Sequence, residues 1–185
     1  MGQALVFASI ILGVAVAHEL GNLHSLIRSQ NVRWHWAQPI FALYTLLSIT
    51  FFWWLIASDS TGAITLGEFL PVMFLLVLFV LLAAVSLPDR IPDDGIDLAT
   101  YYQQTRRYMW GLVALIFGTL TIRVSWQARD LFDSPGDYLA MMGLNWFVVA
   151  IAITLMFVSR WWYVAAAYIF FLSGPLFFWS RQTLG

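Results

Sequence analysis

An all-α integral membrane bundle of about six transmembrane helices is the fold this sequence predicts, and three observations predict it. Only 10% of its 185 residues are charged, against about 25% in ordinary soluble domains, while 61% are hydrophobic. Six apolar runs come close to the roughly 20 residues that cross a hydrocarbon core about 30 Å thick. All ten tryptophans fall near the ends of those runs, where indole rings anchor at the membrane–water boundary.

The first run is Ala4–Leu23. Within it, the apolar stretch Leu5 to Ala17 ends in Ala15-Val16-Ala17, which has the form of a signal-peptidase site, but no positive residue precedes Arg28. A signal peptide normally opens with one, so the run is expected to be a retained span. Ser9, Gly13, Ala17, Gly21 and Ser25 recur every four residues along it. Such a ridge of small side chains lets another helix approach closely. The second run, Pro39–Ser58, ends in the polar turn "DSTG". The third, Leu66–Leu87, stops at Pro88, which cannot continue the helical hydrogen-bond ladder.

The acidic segment "DRIPDDGID" (Asp89 to Asp97) follows. It lacks the spacing and the closing glutamate of an EF-hand calcium loop, so it reads as a solvated turn. Its last residue, Asp97, is a natural N-cap whose carboxylate accepts the free amides of the next helix. Leu98, Tyr101, Tyr102, Thr105, Tyr108 and Met109 then share one face. That pattern predicts a first section at the membrane surface before the fourth span, Tyr108–Trp126. The fifth and sixth spans, Met141–Ser159 and Trp162–Trp179, have almost nothing between them, which predicts a tight antiparallel hairpin. Ser173-Gly174-Pro175 is a kink signal within the last span.

Arginine supplies all nine basic groups, since the chain has no lysine. With the N-terminus outside, Arg28, Arg33, Arg90, Arg106, Arg107 and Arg160 face the cytoplasm, and Arg123, Arg129 and Arg181 face outward. The positive-inside rule therefore favours both termini outside.

The stretch that looks most like chemistry is "HELGNLH", His18 to His24. It approaches the HExxH pattern of zinc hydrolases, in which histidines four apart share a helix face. Here they are six apart, about 240° around the axis, so they cannot hold one ion on an intact helix. No metal site is expected. Instead His18, Asn22 and Ser25 form a polar stripe with Glu19 on its flank. Ionisable groups at membrane depth are costly, so this stripe is the first candidate site. Arg106 and Arg107 are the expected partners of Glu19 at the inner boundary. Arg123 lies roughly 24 Å beyond Arg107 along the helix. It belongs with Glu68, Asn145 and Asp130 in a separate outer cluster.

Several activities are excluded on the residues. There are no cysteines, hence no disulfides or thiolate sites. No nucleophile elbow, phosphate loop or dinucleotide fingerprint appears, and no basic stripe suggests nucleic acid. No catalytic residue is assigned. No cofactor is predicted, although the 17% aromatic content could cradle a lipophilic ligand. The segment "LPDRIPDDGIDLATYYQQTRRYMWG" (Leu87 to Gly111) resembles one found in small multi-pass bacterial membrane proteins. That resemblance implies a bacterial inner membrane and brings no activity or site residues with it.

Three functions are therefore expected, in order. The first is a non-catalytic subunit or assembly partner of a larger membrane complex, with lipids and other membrane proteins, or a second copy, as partners. The second is a small transporter or proton-handling protein working at His18 and Glu19. The third is a binder of a quinone, pigment or lipid.

Overall fold

A computed structural model describes residues 3–59, 65–128 and 134–179. Six helices carry the chain: α1 (Gln3–Arg28), α2 (Ala37–Asp59), α3 (Leu66–Ser86), α4 (Leu98–Ala128), α5 (Pro135–Phe157) and α6 (Trp161–Trp179). Five of them, α1 to α5, are long and apolar enough to cross a membrane, and α6 contributes a shorter apolar stretch, Trp161–Gly174. The helical membrane bundle is thus the architecture. Arg129, Asp130, Arg181 and most of the "DSTG" turn lie outside the described residues.

Helix starts follow local chemistry. Thr65 caps α3 through a capping box: its hydroxyl accepts from the Glu68 amide, while the Glu68 carboxylate accepts from the Thr65 amide at 2.9 Å. Ser134 caps α5, with Pro135 at the first helical position. Asp97 caps α4, as its position predicts, accepting from the amides of Ala99 (2.8 Å) and Thr100 (3.2 Å). α2 opens at Ala37, two residues ahead of Pro39, because proline is tolerated in a first turn whose amides have no helical partner.

Packing departs from the sequence expectations in four places. α4 is one uninterrupted helix of 31 residues, about 46 Å long, starting directly after Asp97. Its buried face at that end is Leu98, Tyr102 and Met109, while Tyr108 is exposed. α5 packs chiefly along α4 and α6 along α2, so the last two helices are not a tight hairpin. Among the contacts between them are the Thr154 and Tyr163 hydroxyls (2.5 Å) and the Phe147 and Phe170 rings. Trp110 is not a boundary anchor: it is wholly buried, with its ring 5.4–5.7 Å from those of Phe41, Tyr168 and Phe171.

The fourth departure concerns α1. Its inward face is Leu5, Ala8, Leu12, Ala15, Glu19, Asn22 and Leu26. Gly13, Ala17, Gly21 and Ser25 point away from the bundle, and a Cβ added at Gly13 or Gly21 would meet nothing within 4 Å. Ser9, the first residue of the ridge, accepts from the Trp53 indole of α2 (2.9 Å), and the rest of the ridge receives no helix among the described residues.

At the arginine-rich end, two connections are pinned together. Val32 and Arg33 pair in parallel with Ile96 and Asp97, joining the segment after α1 to the segment before α4. The Ile96 amide donates to Asn31 O (3.0 Å), and the Asn31 side chain donates to Asp93 O (3.3 Å). Gly95 makes this possible. Its φ is +92°, and a Cβ there would lie 2.4 Å from Asn31 O. An Arg33–Asp97 ion pair at 3.7 Å closes the same junction from the exposed side.

Candidate functional site

Next to that junction, the polar residues of α1 meet the ends of α2 and α3. Pro88 ends α3 and turns the chain back over α1, which brings Asp89 beside His18 and Asn22. Asn22 Nδ2 donates to Asp89 Oδ1 at 2.7 Å, and His18 Nε2 lies 3.1 Å from the same oxygen. The two nitrogens are 3.3 Å apart. One carboxylate oxygen thus receives both groups, an arrangement satisfied by the tautomer that carries its proton on Nε2. The cluster is half-open: the side chains of His18 and Asp89 are 45% and 60% exposed.

One residue along, Glu19 turns the other way and is fully buried. It lies within hydrogen-bonding reach of the side chain of Ser86, the last residue of α3. The Ser86 hydroxyl donates to Ala83 O (2.9 Å). From α2, the Gln38 amide nitrogen donates to the Ser86 carbonyl and sits 3.9 Å from Met109 Sδ of α4. Gln38 Oε1 is buried and receives no donor. Four helices therefore meet at one small, wholly buried and incompletely satisfied polar centre.

The expected site residues divide as follows. His18, Asn22 and Glu19 are close neighbours, but they serve two environments, one open and one buried. Ser25 lies apart on the outward ridge, its hydroxyl bonded to Gly21 O of its own helix (3.0 Å). Neither expected arginine partner reaches Glu19. Arg107 lies over the Phe157 ring, 6.0 Å from its centroid. Arg106 holds a buried Nη1 that has no acceptor. In the other expected cluster, Glu68 is engaged in capping α3. Arg123 is within electrostatic range of it but forms no ion pair with it. Asn145 approaches Met142 Sδ (4.0 Å). Among the described residues these three do not form one hydrogen-bonded group.

Sequence reasoning missed Asp89, Gln38 and Ser86. Asp89 was merged into an acidic turn, although it is the first ionisable residue after the proline that ends α3. Gln38 falls just ahead of the second expected span, which begins at Pro39. No group of three or more histidine, cysteine or carboxylate side chains that could hold a metal ion occurs among the described residues.

A second feature borders the site. The Trp110 indole donates to Tyr102 OH (2.8 Å), and Tyr168 OH donates to Ala37 O (3.0 Å) at the start of α2. Tyr101 OH donates to Val85 O (3.1 Å), one residue before Ser86. Outside this layer, the Trp161 ring stacks 4.2 Å from His35 and 5.5 Å from Tyr102. Tyr102, Tyr168 and Trp110 thus satisfy their polar tips while their rings fill space, which is how such residues are accommodated in a core. No family model matches this chain, and no curated protein or solved structure does either.

Proposed function

We propose that this protein is a non-catalytic component of a larger membrane complex, docking through the outward face of α1. The observation that carries this reading is the direction of the small-residue ridge. Between helices in lipid, association is driven by close van der Waals packing and by polar contacts, and small side chains permit both. Gly13, Ala17, Gly21 and Ser25 offer that surface with no helix against it among the described residues. Exposed Ile10 and Val14 flank it. Exposed His24 adds a polar group that lipid would not satisfy.

The absence of native cysteine makes the test direct. Ala17→Cys is expected to cross-link in native membranes to one defined partner. Leu115→Cys, on an exposed face of α4, is expected not to. Gly13→Leu together with Gly21→Leu should abolish the cross-link while leaving the bundle folded. A solitary monomer recovered from native membranes by gentle extraction would refute the reading. The arginine-rich end is assigned to the cytoplasm of a bacterial inner membrane, with both termini outside. This rests on the arginine asymmetry and on the resemblance of the Leu87 to Gly111 segment. Labelling of Asp93→Cys from the cytoplasmic side alone checks the orientation.

A second reading, a small transporter, is favoured by buried Glu19. On this reading Glu19→Gln abolishes flux in proteoliposomes without unfolding the protein, and unchanged flux rejects it.

A further inference from the structure

At the arginine-rich end, α4 and the connection from α5 to α6 bring together Arg106, Arg107 and Arg160. Gln103, Arg106 and Arg107 lie within about 100° of one another around α4 by their spacing. Two contacts show what that face meets. Gln103 Nε2 donates to Ser159 O (3.5 Å), and the Arg107 guanidinium lies 6.0 Å from the centroid of the Phe157 ring. Arg160 follows Ser159 directly. Its carbonyl accepts from the amides of Tyr163 (3.0 Å) and Val164 (3.2 Å), which fixes it at the start of α6. Arg107 and Arg160 are exposed, while Arg106 is half-buried with an Nη1 that has no acceptor among the described residues. No aspartate or glutamate occurs in residues 98–128 or 138–185. Among the described residues the ion pairs are His18–Asp89 and Arg33–Asp97, and neither involves these arginines.

Aromatic neighbours set the depth of this cluster. Trp161 and Trp162 follow Arg160, Tyr108 follows Arg107, and both Trp162 and Tyr108 are exposed. Such rings sit at the headgroup level of a membrane, so the guanidinium groups beside them lie near the depth of lipid phosphates. We propose that Arg107 and Arg160, with the charge of Arg106 alongside, bind the phosphate headgroup of one anionic phospholipid. Arginine offers a planar fork of donors that matches two phosphate oxygens at once, and basic clusters between helices at a membrane boundary select anionic headgroups. A zwitterionic lipid answers less well, because its own cation is repelled by the cluster. Exposed Phe157 and Ile153, one turn apart on α5, continue from the guanidinium groups as an apolar wall for an acyl chain. The site shares no residue with the outward face of α1 or with Glu19. It therefore stands or falls independently of both functional readings.

The test is native mass spectrometry of the full chain in a neutral detergent, titrated with phosphatidylglycerol or with phosphatidylcholine of the same acyl chains. A single phosphatidylglycerol is expected to bind about tenfold more tightly than phosphatidylcholine, the factor that one charge-assisted hydrogen bond supplies. Arg107→Gln together with Arg160→Gln should remove that preference, and Arg160→Gln alone, at an exposed position, should already reduce it. Arg123→Gln, near the other end of α4, should leave it intact. The wild-type comparison of the two lipids stands even if the double variant fails to fold. Equal binding of the two lipids would overturn the proposal, as would a preference that survives in the folded double variant. Displacement of phosphatidylglycerol by inorganic phosphate at equal concentration would also overturn it, by showing that the cluster takes phosphate from solution and not from a lipid.

Discussion

The two ends of the bundle are held by different kinds of interaction. At the arginine-rich end, contacts join parts of the chain that are far apart in sequence. Asp89 reaches α1, Gln38 reaches Ser86, Tyr168 reaches Ala37, and residues 31–33 pair with 96–97. At the opposite end, most of the polar contacts described are local, apart from Trp53 with Ser9 (2.9 Å) and Tyr138 with Ser125 (3.4 Å). Thr65 and Glu68 cap their own helix, Ser134 caps its own, and Thr119 bonds one turn back. Local caps stabilise a single helix by about 1 kcal/mol, whereas long-range polar contacts fix how helices sit against one another. The difference places the constrained geometry, and with it the candidate site, at one end of the molecule.

The most severe way to break this asymmetry is Trp110→Ala. Trp110 is wholly buried among Phe41, Tyr168 and Phe171 and bonded to Tyr102, so its loss leaves a cavity and removes a satisfied polar contact. A cost of about 3–5 kcal/mol is expected in reversible unfolding. Trp126, which is 75% exposed near the opposite end of the same helix, is the control, and Trp126→Ala is expected to cost far less. Equal costs would mean that α4 is no better anchored at one end than at the other.

Next in size is Gly95→Val. Any side chain there must adopt a positive φ and displace Asn31 O, at a cost of about 1–3 kcal/mol. The damage should be local, with amide exchange accelerating at Ile96 and Arg33 while the core of α3 stays protected. Uniform acceleration through the bundle would show that the junction of the two connections holds up the whole fold and not one end of it.

What was legible in the sequence follows the same division. The helical bundle of apolar segments and the Asp97 cap were readable because each depends on residues adjacent along the chain. Asp97 needs only the amides that follow it. The role of Trp110 was not readable, since a tryptophan near a helix end suits a lipid boundary and a packed core equally well. The ridge on α1 was visible as a pattern, but its direction depends on which face Glu19, Asn22 and Leu26 bury. Asp89 acquires its partners only because Pro88 turns the chain towards α1, a tertiary event that no spacing rule encodes. For the candidate site, then, His18, Glu19 and Asn22 were legible as costly polar residues in an apolar helix. The Ser86 side chain beside Glu19 was not.

Caps sharpen the contrast at a finer scale. Asp97→Ala removes two amide contacts and one half of the Arg33 ion pair, so about 1 kcal/mol is expected. Thr65→Ala also removes a cap, but one with no partner outside its own helix, and about 0.5 kcal/mol is expected. If Thr65→Ala proved the more costly, the opposite end would depend on its caps more than the arginine-rich end does.

The smallest expected effect comes from two arginines on one helix. Arg123 is exposed and unpaired with Glu68, so Arg123→Gln should leave the unfolding midpoint unchanged, because screened surface charges contribute little. Arg106 differs in kind: its Nη1 is buried without an acceptor, and such a group opposes folding. Arg106→Gln should therefore be neutral or slightly stabilising, by up to about 1 kcal/mol. A clear loss of stability in Arg106→Gln would mean that the guanidinium has a partner in the folded protein. Glu19, the buried carboxyl at the same end, would then be the first residue to test as that partner.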